Sequence, residues 1–545
     1  MAIQHSERAA ERATANPSGF RVLYTPVQTA HYRRPPARPF TAEERQSTTI
    51  LFGNLTPKHD ALIEAVFQGA GYKCTALPTP TRDNYFTGRA FCNNGLCNPN
   101  YFTAGNLIDY LRRLAREGMS EEEIVDRFVY FTIGGCGPCR FGMYESEYRQ
   151  ALSHAGFPGF RVLTFLANTA MQKGSDQPGL QYSVNFGLGM FNALNLGDIL
   201  FDISHRIRPF ETEPGATDAA VEDVLSGLAA FLRREQGYEP FRKRRSGKIF
   251  GTASILKRIR HHLGGREGEE ALARARERLA RVQVDWLRVK PVVKATGEFY
   301  SAISEGDANY RIYRFLEESG AEVHVDPIGN LILYWLYEAR LNNRRRKGLR
   351  PGFWKKEALL AFSEWFWGWQ YRRTALRLGD LAGQPEDQQR IADLARPYYE
   401  LLARGGEGHL IAGRAVEAIH RRSCHLFLNI KPFGCMPSTQ ADGVMAQVVS
   451  DHPSLLFLPI ETSGEGEVNV LNRVQMALSD ARRKAREEFD KALRQTGFRL
   501  EQIRSFVERH PETRSPFYRF RQPGQAAGTA AQFVLHAAER MRRSS

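Results

Sequence analysis

Short apolar runs that alternate with amphipathic helical segments are the feature of this sequence that most constrains its fold. The first series begins with TTILFGN at 48–54, continues through the helical pattern HDALIEAVFQGAGY and returns to an apolar run in KCTALP. The same alternation recurs around RFVYFTI and RVLTFLA. Apolar runs separated by helices of this length predict parallel strands joined by crossover connections. The first half of the chain is therefore predicted to be an α/β domain.

Long helical patterns interrupt the alternation twice, and it resumes after each of them. It returns at VKPVVKATGEF, NYRIYRFLEESG and AEVHVDP, and again at HLFLNIKPFG and SLLFLPIE. We therefore predict two parallel-sheet α/β lobes with helical insertions. The predicted segments are an Arg/Pro-rich N-terminal arm (1–47), a first α/β lobe (48–204), a helical insertion (205–288), a second α/β lobe (289–500) with its own helical insertion (330–420), and a basic C-terminal tail (501–545).

The composition argues against several classes of protein. Of the 545 residues 42% are hydrophobic, which is enough for a large core, but no apolar run is long enough to span a membrane. The beginning of the sequence has no apolar signal region, so we expect a cytoplasmic protein without a membrane partner. Seven cysteines are too few for a disulfide framework, and we expect them to be thiols in a reducing compartment.

Basic residues exceed acidic residues by 75 to 60, which gives a net charge of +15. Much of the excess lies in short clusters such as 241–248, 257–262 and 342–350. These clusters are scattered among helical patterns without a recognition motif, so nucleic-acid binding ranks last among the functions considered. The aromatic-rich segment FWKKEALLAFSEWFWGWQYRR would suit base stacking, but its helical spacing favours packing in a core.

Three cysteines share a position at the predicted start of a helix. Cys97 precedes NPNYFTAGNLIDYLRRL, Cys139 opens RFGMYESEYRQAL, and Cys435 lies between a predicted strand and a helix. We predict that all three occupy strand-to-helix turns, which in open α/β sheets meet at the ligand-binding edge. Helix N-termini also favour thiolates and the clusters that thiolates hold. Cys74 and Cys424 are interpreted as core residues.

Two other interpretations of the cysteines are open at this point. The spacing C-x4-C…C-x2-C at Cys92, Cys97, Cys136 and Cys139 can supply four thiolates to a tetrahedral zinc ion. The segment GGCGPCRFG after a predicted strand is also typical of a thioredoxin-type redox pair. Zinc ribbons, however, usually place their ligands on short knuckles, and Gly135 stands where the redox motif has an aromatic residue.

Taken in order, CNNGLCNPNYFTAGNLI, GGCGPCRFGMYESEYRQAL and KPFGCMPSTQ resemble the cysteine segments of the 2-hydroxyacyl-CoA dehydratase and benzoyl-CoA reductase superfamily. The closer resemblance is to the dehydratase-like region of acyl-CoA dehydratase activase-related proteins, and it covers most of the chain. It implies two Rossmann-like lobes with a [4Fe–4S] cluster between them, held by Cys97, Cys139 and Cys435. It also implies an acyl-CoA substrate and a separate ATP-hydrolysing iron–sulfur activator that delivers an electron.

The sequence departs from the family motifs in its additional thiols, Cys92 and Cys136. We interpret them as a fourth cluster ligand, as ligands of a double-cubane [8Fe–9S] cluster, or as a redox pair beside the cluster. The double cubane is less favoured because Cys424 fits a core position. The chain has no phosphate-binding loop, since RSGKIFG lacks the earlier glycine, so the use of ATP is assigned to a partner.

Six further residues are candidates for the site. The candidate catalytic residues are Glu298, Glu461 and Ser463, which follow predicted strands. The candidate residues for binding cofactor or substrate are Arg140, Asn469 and Arg473. A helix cap or an ion pair is an equally good interpretation of the two glutamates, and a surface ion pair is the alternative for the arginine beside Cys139.

The sequence thus predicts an iron–sulfur protein of the 2-hydroxyacyl-CoA dehydratase type, a lyase that performs radical elimination or reduction on a CoA thioester. The resemblance implies a homodimer or a heterodimer with a homologous subunit. One alternative is a non-catalytic iron–sulfur electron carrier or scaffold, which should not respond to acyl-CoA. Another is a thiol-redox or zinc protein that uses the CGPC segment.

Overall fold

Two four-stranded parallel sheets form the centre of the molecule. The structure, a computed structural model, describes residues 38–135, 139–166, 179–180, 184–235, 262, 264–349, 351–403, 406–521, 524 and 526–544. The strands are β1 (Thr49–Phe52), β2 (Lys73–Ala76), β3 (Phe128–Gly134), β4 (Arg161–Leu166), β5 (Val292–Gly297), β6 (Glu322–His324), β7 (Leu426–Pro432) and β8 (Phe457–Thr462). Their order is β2-β1-β3-β4 in the first sheet and β6-β5-β7-β8 in the second. The predicted α/β class with two parallel-sheet lobes is confirmed.

Helices connect the strands and form the two insertions. Those of the described residues are α1 (Pro57–Gly69), α2 (Arg82–Phe91), α3 (Asn98–Arg116), α4 (Glu121–Arg127), α5 (Tyr144–His154), α6 (Val184–Ile207), α7 (Ala216–Glu235), α8 (Arg266–Ala280), α9 (Phe299–Ile303), α10 (Ile312–Glu318), α11 (Gly329–Arg345), α12 (Phe353–Arg377), α13 (Gln388–Ala395), α14 (Gly408–Arg421), α15 (Met436–Asp451), α16 (Glu467–Thr496), α17 (Leu500–Arg509) and α18 (Thr529–Ser544). None of these helices is long and apolar enough to cross a membrane. Short 3₁₀ helices also occur, among them Arg140–Met143 and Asp307–Asn309.

Local sequence signals set the ends of these elements. The Thr56 hydroxyl accepts a hydrogen bond from the His59 amide and so caps the start of α1. In the second sheet, β5 ends at Gly297, whose φ is +143°. A Cβ atom at Gly297 would lie 1.9 Å from the carbonyl oxygen of Ile430 on β7. Only glycine therefore allows the chain to turn out of β5 this close to its neighbour.

A buried polar chain connects the first lobe to the second. The His59 ring on α1 lies 2.7 Å from the Thr56 hydroxyl and 3.2 Å from the Asp198 carboxylate on α6. Asp198 in turn accepts hydrogen bonds from the amides of Ile328 and Gly329 at the start of α11. All of these polar side chains are buried. Arg38–Ser545 accordingly form one compact unit.

The two predicted terminal segments take part in the packed structure where it describes them. Phe40, within the predicted N-terminal arm, is fully buried in the core of the first lobe. The predicted C-terminal tail forms α17 and α18, and Phe506, Phe533 and Val534 on these helices are buried. The Thr529 hydroxyl also donates a hydrogen bond to Glu322 on β6. The basic residues of the tail therefore lie on the outer sides of amphipathic helices, and the apolar sides of these helices are buried.

Candidate functional site

Two of the three predicted ligand cysteines occupy equivalent turns in the two sheets. Cys139 follows β3 and is the N-cap of the 3₁₀ helix Arg140–Met143, and Cys435 follows β7 and is the N-cap of α15. β3 and β7 hold the same place in their sheets, next to the first strand of each lobe. The prediction of strand-to-helix turns is confirmed for these two residues. It is wrong for Cys97, which is the N-cap of α3 but follows helix α2.

The turn that carries Cys97 adjoins the turn that carries Cys435, although the two belong to different lobes. The backbone amide of Asn98 donates a hydrogen bond of 3.3 Å to the Phe433 carbonyl oxygen. The Asn98 side chain donates another to the carbonyl oxygen of Thr462, at the end of β8. A Cβ atom at Gly434 would lie 3.5 Å from the Cα atom of Cys97. The turns of Cys97 and Cys435, which belong to different lobes, are thus adjacent.

Burial keeps the three thiols protonated in the metal-free chain. It raises the pKa of Cys97 to about 12, with smaller contributions from the nearby Glu298 carboxylate and the Cys139 thiol. Burial also raises the pKa of Cys139 to about 11, and it raises the pKa of Cys435 as well. The Cys97 sulfur lies 2.9 Å from the Tyr144 hydroxyl oxygen. A metal or cluster would therefore have to displace the protons when it binds.

Two carboxyl groups accompany the thiols. Glu298 is the N-cap of α9 and accepts hydrogen bonds from the amides of Tyr300 (3.1 Å) and Ser301 (2.9 Å). Burial raises the pKa of Glu298. Glu407, immediately before α14, has a pKa raised to about 7, first by burial and then by Glu298. Both carboxylates raise the pKa values of Cys139 and Cys435. The helix-cap interpretation of Glu298 is therefore correct, and the same residue also belongs to the site.

Sequence reasoning missed Glu407 and Tyr300. Glu407 follows no strand and belongs to no motif, so only the packing of α14 brings it to the thiols. The hydroxyl oxygen of Tyr300 is buried and has no hydrogen-bond partner among the described residues. Burial, followed by the neighbouring Tyr130 and Glu298, raises the pKa of Tyr300. Tyr300 is therefore a neutral hydrogen-bond donor near Glu298, and the residues that the structure describes give it no acceptor.

The remaining candidates near the end of β8 have structural partners of their own. Glu461 lies 3.6 Å from the Lys431 ammonium group. This contact agrees with the alternative interpretation of Glu461 as a member of an ion pair. The Ser463 hydroxyl accepts a hydrogen bond of 3.1 Å from the Gly466 amide just before α16. Arg473 donates to a backbone carbonyl at β8, and Asn469 is exposed.

Among the candidates closer to the thiols, Arg140 is partly buried, and its charge opposes the effect of burial on the pKa of Cys139. Cys92 ends α2, and burial followed by Glu147 raises its pKa to about 12. Cys136 lies outside the described residues. Cys74 is buried in the core of the first lobe, as predicted. Cys424 is partly buried and packs against the core beside β7.

The donor set fits an iron–sulfur cluster in its chemistry. Three thiols on helix N-termini are the ligand type and the electrostatic setting that such clusters use. Over the part of the chain that the structure describes, no group of three or more His, Cys, Asp or Glu side chains is arranged to hold a single metal ion.

Comparison with known proteins adds no assignment to this geometry. No protein-family model matches the chain, and no curated protein matches it either.

Proposed function

We propose that this chain is an iron–sulfur protein that acts on CoA thioesters in the manner of the 2-hydroxyacyl-CoA dehydratases that its motifs resemble. Cys97, Cys139 and Cys435 would hold one [4Fe–4S] cluster between the lobes. The observation that carries the proposal is the meeting of helix-capping thiols from both sheets. The cluster would supply a low-potential electron to the thioester.

The residues around the thiols support this chemistry. Burial raises the pKa values of Glu298, Glu407 and Tyr300, which favours their neutral forms beside a negatively charged cluster. The Tyr300 hydroxyl, which lacks an acceptor among the described residues, can donate a hydrogen bond to the thioester carbonyl oxygen. Arg140, next to Cys139, can offset negative charge at that thiolate.

The proposal extends to two partners. With no phosphate-binding loop in the sequence, the electron would come from a separate ATP-hydrolysing activator with its own cluster. We propose a cytoplasmic and oxygen-sensitive protein, since an accessible cluster of this kind is damaged by oxygen. Pairing with a second subunit belongs to the same proposal.

The first experiment is to purify the protein without oxygen and to measure iron, acid-labile sulfide and zinc per chain, together with the EPR spectrum after reduction. About four irons with matching sulfide support the [4Fe–4S] cluster, and about eight favour the double cubane with Cys92 and Cys136 as added ligands. Zinc without sulfide contradicts the proposal and favours a structural metal site. An absence of metal, with a reversible disulfide between Cys136 and Cys139, contradicts it in favour of a thiol-redox protein.

A second experiment separates an enzyme from an electron carrier. Acyl-CoA is added to the reduced cluster protein and the EPR spectrum is recorded again. A substrate that binds beside the cluster changes the spectrum, whereas the cluster of a carrier is unaffected. Tyr300→Phe should weaken the spectral response to acyl-CoA while leaving the iron content unchanged, because it removes the hydroxyl but no thiol.

A further inference from the structure

A row of aromatic side chains covers the solvent-exposed side of α12. We call this row the aromatic stripe and define it as Trp354, Phe362, Trp365 and Trp369. Trp354 is 73% exposed, Phe362 57% and Trp365 56%, whereas Trp367 on the other side of the helix is buried. The sequence predicted that these aromatics pack in a core, and for the stripe that prediction is wrong. Exposed aromatic patches of this extent mark interaction surfaces.

Three rings of the stripe lie next to one another along the helix. The ring centroids of Phe362 and Trp365 are 5.7 Å apart at an interplanar angle of 38°, and those of Trp365 and Trp369 are 6.1 Å apart at an angle of 18°. Trp365 and Trp369 therefore stack on each other. Nucleic-acid bases stack on free ring faces, and this mutual stacking leaves fewer of them for a base.

The charge around the stripe is predominantly positive. The only acidic residues in α12 are Glu357 and Glu364, and both pair with Arg340 on α11. Glu269 on α8 pairs with Arg373 in α12. Exposed cations lie at the end of α11, in the turn after it, at the start of α12 and near its end: Arg345, Arg346, Lys347, Lys355, Lys356 and Arg372. We call these residues the basic rim. An apolar surface with a predominantly cationic surround fits an anionic partner.

The turn between α11 and α12 adds an apolar group beside the basic rim. Leu349 in this turn is 78% exposed, and Trp354 follows five residues later at the start of α12. The Lys347 ammonium group lies 5.4 Å from the centre of the Trp354 ring. Tryptophan and leucine beside lysine are typical of side chains that enter the boundary between lipid headgroups and acyl chains.

We propose that the aromatic stripe and its basic rim bind the surface of an anionic lipid bilayer. The stripe is a ridge on a single helix, whereas a partner helix is normally received in a groove. An antiparallel second copy would bring Lys355 and Lys356 against Arg372 and repel it. The contact would be peripheral, because no described helix can cross a membrane. The proposed contact differs from the expectation, drawn from the sequence, that the protein has no membrane partner. That expectation rested on the lack of a spanning segment.

The test is flotation of the full-length protein with vesicles at low ionic strength. One vesicle is pure phosphatidylcholine and the other is an equal mixture of phosphatidylcholine and phosphatidylglycerol. We expect flotation with the anionic vesicles, quenching of tryptophan fluorescence by brominated acyl chains, and a loss of binding as salt is raised. The double variant Trp354→Ser with Trp365→Ser should bind at least about tenfold more weakly, since two large apolar side chains no longer leave water.

A matched control and a charge variant complete the experiment. Val468 and Met476 on α16 are 72% and 75% exposed, so Val468→Ser with Met476→Ser removes as many exposed apolar side chains elsewhere and should leave flotation unchanged. Lys355→Gln with Lys356→Gln should weaken binding and reduce its salt dependence. All variants are compared with the wild type by thermal unfolding, so that misfolding is recognised.

Three outcomes would overturn the proposal. The first is an absence of flotation with anionic vesicles, and the second is undiminished flotation of the folded tryptophan variant. The third is a dimer in light scattering, or binding to a single-stranded oligonucleotide, that the tryptophan variant abolishes while flotation persists. The test does not depend on the cluster, because it can be run on metal-free protein.

Discussion

The two sheets share one strand order but surround their cysteine turns with different polar groups. In the first lobe the partners contributed near Cys97 are hydroxyl groups, and the carboxyls that approach Cys97 and Cys139 come from the second lobe. The Tyr144 hydroxyl lies 2.9 Å from the Cys97 sulfur, and the Tyr148 hydroxyl lies 2.7 Å from that of Thr103 on α3. These contacts need no counter-charge.

The second lobe instead carries a network of buried charges near the Cys435 turn. Arg414 on α14 donates to Glu386 at 2.8 Å and to the Thr296 hydroxyl on β5 at 3.0 Å, and it lies 3.2 Å from Asp326 after β6. All of these side chains are buried or nearly so. Strand order therefore sets the positions of Cys139 and Cys435 in their sheets. The packing of the inserted helices sets which charged groups lie near them.

The largest expected effect tests whether the two equivalent turns are also equivalent in function. Cys139→Ala and Cys435→Ala should each remove most of the iron and sulfide from protein purified without oxygen, because under the proposed function each would supply a ligand from its own lobe. Iron analysis and EPR measure the loss. Cys424→Ala is the control and should keep its iron. If one of the two turn variants keeps a full cluster, the equivalence fails.

The second prediction compares how much free energy of unfolding is lost when a buried charge of the second lobe or a buried hydroxyl of the first lobe is removed. Arg414→Met should lower the free energy of unfolding by about 3–5 kcal/mol, because it leaves the Glu386 carboxylate buried without its cation and leaves Asp326 with Lys294 alone. Tyr148→Phe in the first lobe should cost about 1 kcal/mol, the value of one hydrogen bond. Denaturant unfolding measures both, and Arg127→Ala in an exposed ion pair should change it by less than about 1 kcal/mol. Equal losses for Arg414→Met and Tyr148→Phe would contradict the contrast between the lobes.

A third prediction compares the glycines that end the first strand of each sheet. Gly53 and Gly297 have φ values of +136° and +143°, so alanine is strained at both. A Cβ atom at Gly297 also meets the Ile430 carbonyl oxygen at 1.9 Å, whereas at Gly53 the nearest atom is 3.1 Å away. We expect a loss of about 3 kcal/mol or more for Gly297→Ala and about 1–2 kcal/mol for Gly53→Ala.

The control for these variants is Gly227→Ala in α7, where a Cβ atom meets nothing within 4 Å. Alanine favours a helix over glycine, so this change should raise the free energy of unfolding by about 0.5–1 kcal/mol. The comparison would be refuted by a Gly53→Ala protein that is less stable than the Gly297→Ala protein.

The last prediction is a pH dependence of stability in the metal-free protein. The pKa of Glu407 is about 7 in the folded chain, against 4.5 ordinarily, so the folded state binds more protons between these values. Its contribution therefore favours folding at pH 4.5 and is lost as the pH rises toward 7. Asp60 in the first lobe, whose pKa burial also raises to about 7, contributes with the same sign.

Glu407→Gln and Asp60→Asn should each be close to the wild type at pH 4.5 and gain relative stability by pH 8. Denaturant midpoints at the two pH values measure this change. If the difference in denaturant midpoint between Glu407→Gln and the wild type is the same at both pH values, the second lobe does not hold this carboxyl group neutral.

Much of the fold and part of the site follow from the sequence alone. Alternating apolar runs and helical patterns predicted all eight strands that the structure describes, because strand and helix periodicity are local properties. The glycine and proline residues around Cys139 and Cys435 likewise placed these thiols at helix starts. The ligand role of the thiols came from a resemblance of motifs and stays a prediction.

Only the tertiary structure decided which side of each helix is buried and which distant residues meet. It set Glu407 beside Glu298, placed Cys97 after a helix, and turned Trp354 and Trp365 to the solvent. A periodic aromatic pattern shows that a helix has an apolar side, but not whether the chain itself supplies the surface that covers it. That depends on how the inserted helices pack, which is set by contacts between residues far apart in the sequence.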